Sequence, residues 1–448
     1  MSSSRHTGFS PTALQQAMPA LQPQDTVWVG YSGGCDSHVL LHALAQLRHE
    51  MPFNLQAIYV NHGLSANAER WGVHCQAVCA ALGVGIQLVR VDATPEAEES
   101  PEEAARSARY NAIIALLKEG DYLCTAHHQD DQAETLLLQL LRGAGPKGLA
   151  AMPVRSPLGK ATQLRPLLNF SRARLQYYAE EQGLKWIEDE SNSDTGFNRN
   201  FLRHEIMPRL RQRWPSADTT IARSAAVCAE AAQLLDQLAA QDYQEIKAPE
   251  AAEIEIDKLL ELDNARIKNV LRYWIRLAGL PLPSEIKLQH VIHDVLHAAQ
   301  DRMPCVQWPG AEVRRYQGRL YVMPPEADIN TRLILVWDDP GQPLLLPDGS
   351  SLFLSPGGEL AQQRLAAGRV TVRFRQGGEY LHPAGRSGGC TLKQFMQEAA
   401  VPPWRRNAVP LLYVDDVLAA VAGLCVDREF LAQDGEPGCS IGIKMNDV

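Results

Sequence analysis

The sequence predicts an α/β protein: an amino-terminal doubly wound parallel sheet, a mainly helical middle and a small α+β region at the carboxyl end. Three observations carry this. Between Val27 and Leu141 short β-branched or apolar runs alternate with helix-spaced ones, the rhythm of crossover units that pair strands in parallel. From Asp218 to Ala299 helical periods rich in alanine and leucine dominate. Past Met323-Pro324-Pro325-Glu326, a linker by composition, short strand-like runs return. A chain of 448 residues exceeds one core. The expected domains are 1–216, 217–325 and 326–448.

Val27-Trp28-Val29 reads as the first strand. Tyr31-Ser32-Gly33-Gly34-Cys35-Asp36-Ser37 then turns into a helix marked by Val39, Leu40, Leu41, Leu44 and Leu47. Adjacent glycines let the backbone approach a ligand, Ser32 and Ser37 add hydroxyls, and the helix start adds unpaired N–H groups; such a turn suits a phosphate. Leu55–Val60 is a second strand ending at Asn61-His62-Gly63, a helix runs from Asn67 to Leu82, and Ile86–Val91 is a third strand. Ligands gather at the carboxyl ends of such strands, so the glycine turn and Asn61–Gly63 share one rim. The acids of Asp92–Glu103 (Asp92, Glu96, Glu98, Glu99, Glu102, Glu103) read as a solvated loop and first helical turn. That helix continues through Arg106, Arg109, Tyr110 and Ile113 to Leu117.

A fourth strand, Tyr122–Ala126, runs into His127-His128-Gln129-Asp130-Asp131-Gln132-Ala133-Glu134-Thr135. As plain structure, Asp130 is an N-cap and Asp131 and Glu134 offset the helix dipole. That leaves unexplained why so many histidines and acids crowd one strand end. Asp131 and Glu134, three apart, share a helix face, where carboxylates could hold magnesium or steer a cationic nucleophile. A zinc site lacks its His or Cys pairs.

Arg142-Gly143-Ala144-Gly145-Pro146 ends that helix. Leu164-Arg165-Pro166-Leu167-Leu168 follows, then a helix from Ser171 to Gln182, a polar ligand-ready loop over Asp189–Asn200, and an arginine-rich helix ending near Trp214-Pro215. Farther on, a long helix is expected from Asp218 to Gln241, helices over Ile254–Ala278 and Pro283–Ala299, and a hairpin over Val306–Val322 turning at Gln317-Gly318. Leu333–Trp337, Leu352–Leu354 and Val370–Phe374 read as strands, and Leu392–Ala400 as a helix.

Composition, at 45% hydrophobic and 21% charged, is that of a soluble globular protein. The longest apolar run, Val417–Val426, is far short of a membrane span, and Met1–Ser10 lacks a signal core; a cytoplasmic location is expected, with no membrane partner. Nine scattered cysteines without a Cys-x-x-Cys pair fit reduced thiols, and Cys75 and Cys79 read as helix packing. The net charge of -9 argues against indiscriminate coating of nucleic acid. Even so, basic residues cluster over Arg199–Arg213 and over Arg364–Arg406. Such patches suggest a polyanion gripped at particular places, the plain alternative being solvated surface arginines.

The glycine turn lacks the lysine of a Walker loop and the spacing of a dinucleotide loop. Ser-Gly-Gly-x-Asp-Ser directly after a first strand instead resembles the pyrophosphate-loop ATPases, whose adenine nucleotide α-hydrolase-like fold cuts ATP between the α and β phosphates. Backbone N–H donors there would stabilise the departing pyrophosphate. His-His-x-Asp-Asp-Gln-x-Glu-Thr at 127–135, Arg-Pro-Leu-Leu at 165–168 and Asp-x-Ser-Asn with Arg-Asn-x-x-Arg across 189–203 narrow the resemblance. Together with Val372–Arg375 and Pro402-Pro403-Trp404, they resemble the tRNA(Ile)-lysidine synthetases over nearly the whole chain.

That resemblance implies a ligase. The family adenylates the C2 oxygen of the wobble cytidine, position 34 of a CAU anticodon, in tRNA(Ile), and lets the ε-amine of free L-lysine displace AMP. The lysidine formed changes pairing from G to A and the amino acid from methionine to isoleucine. By the same resemblance Ser32, Gly33, Gly34, Cys35, Asp36 and Ser37 would bind ATP, with Asp36 on Mg2+. Arg109, His128, Asp131 and Glu134 would line the reaction centre, and Arg199 and Arg203 would meet AMP phosphate or RNA. Cys35, at the variable position, is not expected to be a nucleophile. The terminal basic segment would grip tRNA away from the reacting base, and single loop bases are well suited to being splayed and read. Oligomeric state stays open, a homodimer included. Two rivals remain: a tRNA thiolase of the same superfamily, which calls for closely paired cysteines, and a non-catalytic RNA-binding adaptor, which calls for a decayed loop.

Overall fold

The computed structural model describes residues 8–61, 63, 67–92, 94, 101–248, 253–299, 302–325, 329–386 and 388–444. His62, Glu96, Glu98, Glu99 and Glu326, singled out by sequence, lie outside the described residues. The chain divides into two units, Met1–Leu235 and Asp236–Val448.

In the first unit a short helix α1 (Pro11–Gln15), N-capped by Ser10, precedes β1 (Thr26–Gly30). Val27 and Val29 are fully buried and Thr26, Trp28 and Gly30 half-buried, and with a parallel neighbour on each side β1 is a central strand. The order continues with α2 (Cys35–Leu47), β2 (Asn54–Asn61), α3 (Ala68–Ala81), β3 (Gly85–Arg90), α4 (Pro101–Leu116), β4 (Tyr122–Cys124) and α5 (Gln129–Leu141). A short α6 (Pro146–Leu149) leads to β5 (Arg155–Leu158), β6 (Ala161–Leu164) and α7 (Arg172–Glu181). The sheet runs β3-β2-β1-β4-β6-β5. Every pairing is parallel except β5 with β6, a hairpin absent from the sequence reading because its four-residue strands lack a long apolar run.

Register sets the site. Val29 pairs with Ala57 on one side and Cys124 on the other, so the chain leaves β1 outward through β2 and β3 and returns on its opposite flank. Between the carboxyl ends of β1 and β4 lies the topological switch point, the place where open α/β sheets bind ligands. One face of the sheet is covered by α2, through Val39, Leu40, Leu41, Leu44 and Leu47, with Leu175 and Tyr178 of α7 and Cys75 and Cys79 of α3. The thiols are packing groups: burial pushes Cys75 up to about 12 and Cys79 to about 11. Ile113, Leu117, Ile58 and Leu123 fill the other face.

The arginine-rich segment is not one regular helix. It comprises α8 (Asn198–Phe201), a π-helical turn at Leu202–Ile206 and α9 (Met207–Arg213). A long α10 (Ala217–Ile246) follows, and the division between the units falls within it. Among the described residues no helix is long and apolar enough to cross a membrane.

The second unit has separate cores. Around Trp274, Ile275, Val291 and Val313 the helices Ile256–Leu260, Asn264–Leu277 and Glu285–His290 pack on a four-stranded antiparallel sheet. The single helical stretch expected over Ile254–Ala278 is thus broken, opening as a short strand at Ile254–Glu255 that pairs with Arg319 and Leu320. The expected hairpin is present within that sheet: Ala311–Tyr316 pairs with Arg319–Met323. Its turn has positive φ at both Gln317 and Gly318, a primed turn whose twist suits a tight hairpin. The β-rich carboxyl region holds a five-stranded, a three-stranded and a two-stranded sheet, with the helix at Leu392–Glu398.

Trp404, in the Pro402–Arg406 turn, joins these cores. Its ring meets Tyr316 and Tyr321 edge-on, at 6.0 and 5.4 Å, and the Arg314 guanidinium lies 5.3 Å from its centroid. Arg406 donates to the Val401 carbonyl at 2.9 Å and to the Tyr316 hydroxyl at 3.0 Å. Arg406, read by sequence as one member of an RNA grip, is therefore committed to an internal contact, while Arg405 stays exposed. Trp404→Ala is expected to cost about 2–3 kcal/mol and to expose the 401–406 turn to limited proteolysis while the first unit melts unchanged. A native cleavage pattern and melting curve would contradict that role.

Candidate active site

Gly33 has φ +84, and a Cβ there would stand 2.7 Å from Ile187 Cδ1 and 3.2 Å from Cys75 Sγ. Only glycine suits the position. The turn is tied by its own hydroxyls: Ser32 and Ser37 Oγ lie 3.1 Å apart, Ser37 Oγ donates to the Gly34 carbonyl at 3.0 Å, and the Ser32 amide donates to Ser37 Oγ at 3.3 Å. Ile187 N–H donates to the Gly33 carbonyl at 2.9 Å, which brings the 184–193 segment over the loop. Gly34 caps α2 without a side chain, leaving the first helical amides directed at the switch point, a cradle for phosphate. Cys35 is buried, and burial, then the neighbouring Asp36 carboxylate, pushes its thiol up to about 12. It remains a protonated packing group.

Across the switch point stands the start of α5. Its N-cap is His128, not Asp130 as the sequence reading allowed: the His128 amide donates to Asp131 Oδ2 at 3.0 Å, and Asp131 N–H donates to His128 Nδ1 at 3.4 Å. With Nδ1 accepting, the ring proton sits on Nε2, which faces Asp131 Oδ2 at 3.4 Å and Asp36 Oδ2 at 3.6 Å. His128 is thereby the bridge between the glycine turn and α5. Burial alone would lower its pKa, but Asp131, Asp36 and Asp130 outweigh burial and raise it. Asp130 instead accepts from the Arg172 amide and, with Asp218, holds Arg211.

Asp131 and Glu134 do share a face, and Arg199 and Arg203 occupy it. Arg203 Nε donates to Glu134 Oε1 at 2.7 Å and its Nη2 to Asp131 Oδ1 at 2.9 Å. Arg199 Nε donates to Glu134 Oε2 at 3.0 Å and its Nη2 to Asp131 Oδ1 at 3.2 Å. Glu134 is 1% exposed, so its charge is tolerable only because both oxygens are paired. The carboxylates read by sequence as open to a cation are neutralised by these two arginines. Burial raises the pKa of Asp131, but His128, Arg199, His127 and Arg203 prevail and bring it to about 2.

Arg106 and Arg109 are both exposed residues of α4, and among the described residues no hydrogen bond or ion pair joins Arg109 to His128, Asp131 or Glu134. The Arg106 guanidinium lies 5.0 Å over the Tyr110 ring. Beside it runs a polar chain that sequence reasoning missed. Gln163 Nε2 donates to Tyr110 Oη at 3.0 Å and to Thr125 Oγ1 at 3.2 Å, Arg165 Nη2 donates to Gln163 Oε1 at 2.7 Å, and Thr125 Oγ1 meets His127 Nδ1 at 3.0 Å. Its one signal was the arginine of Arg-Pro-Leu-Leu. Burial, with Arg199, Arg165 and Arg106 nearby and against the pull of Asp131, lowers His127 to about 4, so it is neutral at pH 7.

Among the described residues no group of three His, Cys, Asp or Glu side chains is arranged to hold a metal ion. Asp36 Oδ1, however, is buried without a hydrogen-bond partner among the described residues. One free carboxylate oxygen beside a phosphate cradle fits Mg2+, which commonly takes one or two carboxylates and completes its shell with phosphates and water.

Fold and site together define a PP-loop protein, and the PP-loop domain family matches residues 10–210. The TilS substrate binding domain matches residues 255–321 and the TilS substrate C-terminal domain residues 370–443. The chain is 44% identical to a tRNA(Ile)-lysidine synthase of Coxiella burnetii over 97% of both chains. It is 42% identical to that of Methylococcus capsulatus, covering 92% of this chain and 94% of the other. With the synthase of Pseudomonas syringae the identity is 44%, over 92% of each. The chain belongs to the tRNA(Ile)-lysidine synthase family.

The Asp131 carboxyl sets an acid limb. Its pKa is depressed in the folded protein, so its contribution is complete above the ordinary carboxylate value and is lost as pH falls from about 4 to about 2, amounting to about 2 kcal/mol. Thermal unfolding midpoints of the native chain should therefore fall more steeply over that range than those of Asp131→Asn. Parallel curves would refute the assignment.

Proposed function

We propose that this chain ligates free L-lysine to C2 of the wobble cytidine of tRNA(Ile) bearing a CAU anticodon, consuming ATP and releasing AMP and pyrophosphate. The observation that carries the reading is His128, whose Nε2 lies 3.6 Å from Asp36 of the phosphate turn and 3.4 Å from Asp131 of the arginine–carboxylate cluster. Activation and acceptor chemistry would thus share one rim.

In the first step the cytidine O2 attacks the α-phosphorus, and the bond to the bridging oxygen of pyrophosphate breaks. The amides of the Gly33–Ser37 turn meet the phosphate charge that develops there. Asp36 would hold Mg2+, which when bound withdraws charge from the phosphate oxygens. In the second step the neutral ε-amine of lysine adds at C2, gives up a proton, and AMP departs with the former cytidine oxygen. Arg199 and Arg203, held by Asp131 and Glu134, would offer the N–H groups not spent on those carboxylates to AMP phosphate or RNA. This proton traffic needs no protein nucleophile, in keeping with a protonated Cys35. Residues 1–216 would perform this chemistry in the cytoplasm, with 217–325 and 326–448 holding the tRNA.

The deciding incubation combines the chain, ATP, Mg2+, labelled lysine and a CAU-anticodon tRNA(Ile) transcript. Label is expected in the RNA with matching AMP and pyrophosphate; no label and no AMP would end the reading. Asp36→Ala should lower AMP formation on the order of a hundredfold while tRNA affinity stays within about threefold. Loss of both would give Asp36 a folding role instead.

A further inference from the structure

The segment that carries Arg199 and Arg203 has a second face. Phe197 and Phe201 are 39% and 46% exposed, and Phe201 N–H donates to the Phe197 carbonyl at 2.9 Å, so the rings follow each other by one helical turn on the same side. Single exposed apolar side chains are ordinary. Two aromatic rings in helical register on the outside of an active-site segment are a surface. The backbone beneath them is fixed. Gly196 N–H donates to Asp194 Oδ1 and Asn200 Nδ2 to the Asp194 carbonyl, both at 2.9 Å, while Arg199 between the rings and Arg203 after them are locked inward onto Asp131 and Glu134. The same outer side continues through exposed His204 and Arg209, whose side chain is 80% exposed and only loosely paired with Glu205 at 3.9 Å.

Aromatic faces followed by exposed cations are the pattern that binds single-stranded nucleic acid: rings stack on bases, and cations meet the phosphates alongside. We infer that Phe197 and Phe201 form a stacking platform for an unpaired base of the tRNA anticodon loop, positioned by the ion pairs that build the active site. The inference rests on the function proposed above and assigns these rings a role in substrate binding. A base bound there sits on the outer side of the helix whose inner side faces the reaction, so the wobble base and its neighbour are held by one rigid element.

The full chain and a CAU-anticodon tRNA(Ile) transcript, with 2-aminopurine in the anticodon loop, test it. Three double variants are compared with the native protein: F197A/F201A, F197L/F201L and F197Y/F201Y. The alanine and leucine pairs should raise the tRNA Kd by about tenfold and abolish the change in 2-aminopurine fluorescence on binding, with ATP affinity unchanged. The tyrosine pair should restore both. A leucine pair that binds like the native chain would overturn stacking, and an alanine pair that loses ATP and tRNA alike would make the rings a folding element. If the native chain neither binds nor modifies the transcript, the underlying function fails. If it does both and the alanine pair matches it, only the platform fails.

Discussion

The cluster of Asp131 and Glu134 with Arg199 and Arg203 is the constraint on which the rest of the site depends. Glu134 is almost wholly enclosed, and an ionised carboxylate there without partners would cost several kcal/mol. The two guanidiniums meet that demand, and in doing so they fix a segment more than sixty residues later in the chain onto the start of α5. Everything around the switch point follows: the course of the 194–206 backbone, the outward face of Phe197 and Phe201, and the place of Asp131 beside His128.

His128 extends this order to the phosphate turn. As N-cap of α5 its position is set by the helix, and as neighbour of Asp36 it sets the turn. A capping residue and an active-site residue are here the same side chain. The π-helical turn at Leu202–Ile206 lies just after Phe201 and contains Arg203. Arg199 and Arg203, four residues apart, share one face of this helical run, which is how both reach α5.

The glycine turn and the histidine–acid patch were legible because their residue types are improbable as plain structure in those places, and the crossover rhythm put both on one rim. Other features were less so. Arg109 was carried over by resemblance, and among the described residues no hydrogen bond or ion pair ties it to His128, Asp131 or Glu134, while Arg106, one turn earlier, stacks on Tyr110. The Gln163–Thr125–His127 chain escaped notice because glutamine and threonine at strand ends carry no spacing signal. Arg406 looked like a phosphate contact, since sequence cannot distinguish a cation facing solvent from one bonded to a carbonyl and a tyrosine hydroxyl.

By itself the sequence determined the parallel sheet, the phosphate turn after its first strand and the set of charged residues that gather near it. Those depend on local periodicity, on glycine's access to positive φ and on helix-start chemistry, all of which act over a few residues. Tertiary structure alone decided who pairs with whom. Asp131 and Glu134 face Arg199 and Arg203 across more than sixty positions of chain, and the two carboxylates became anchors for arginines because the fold buries them together.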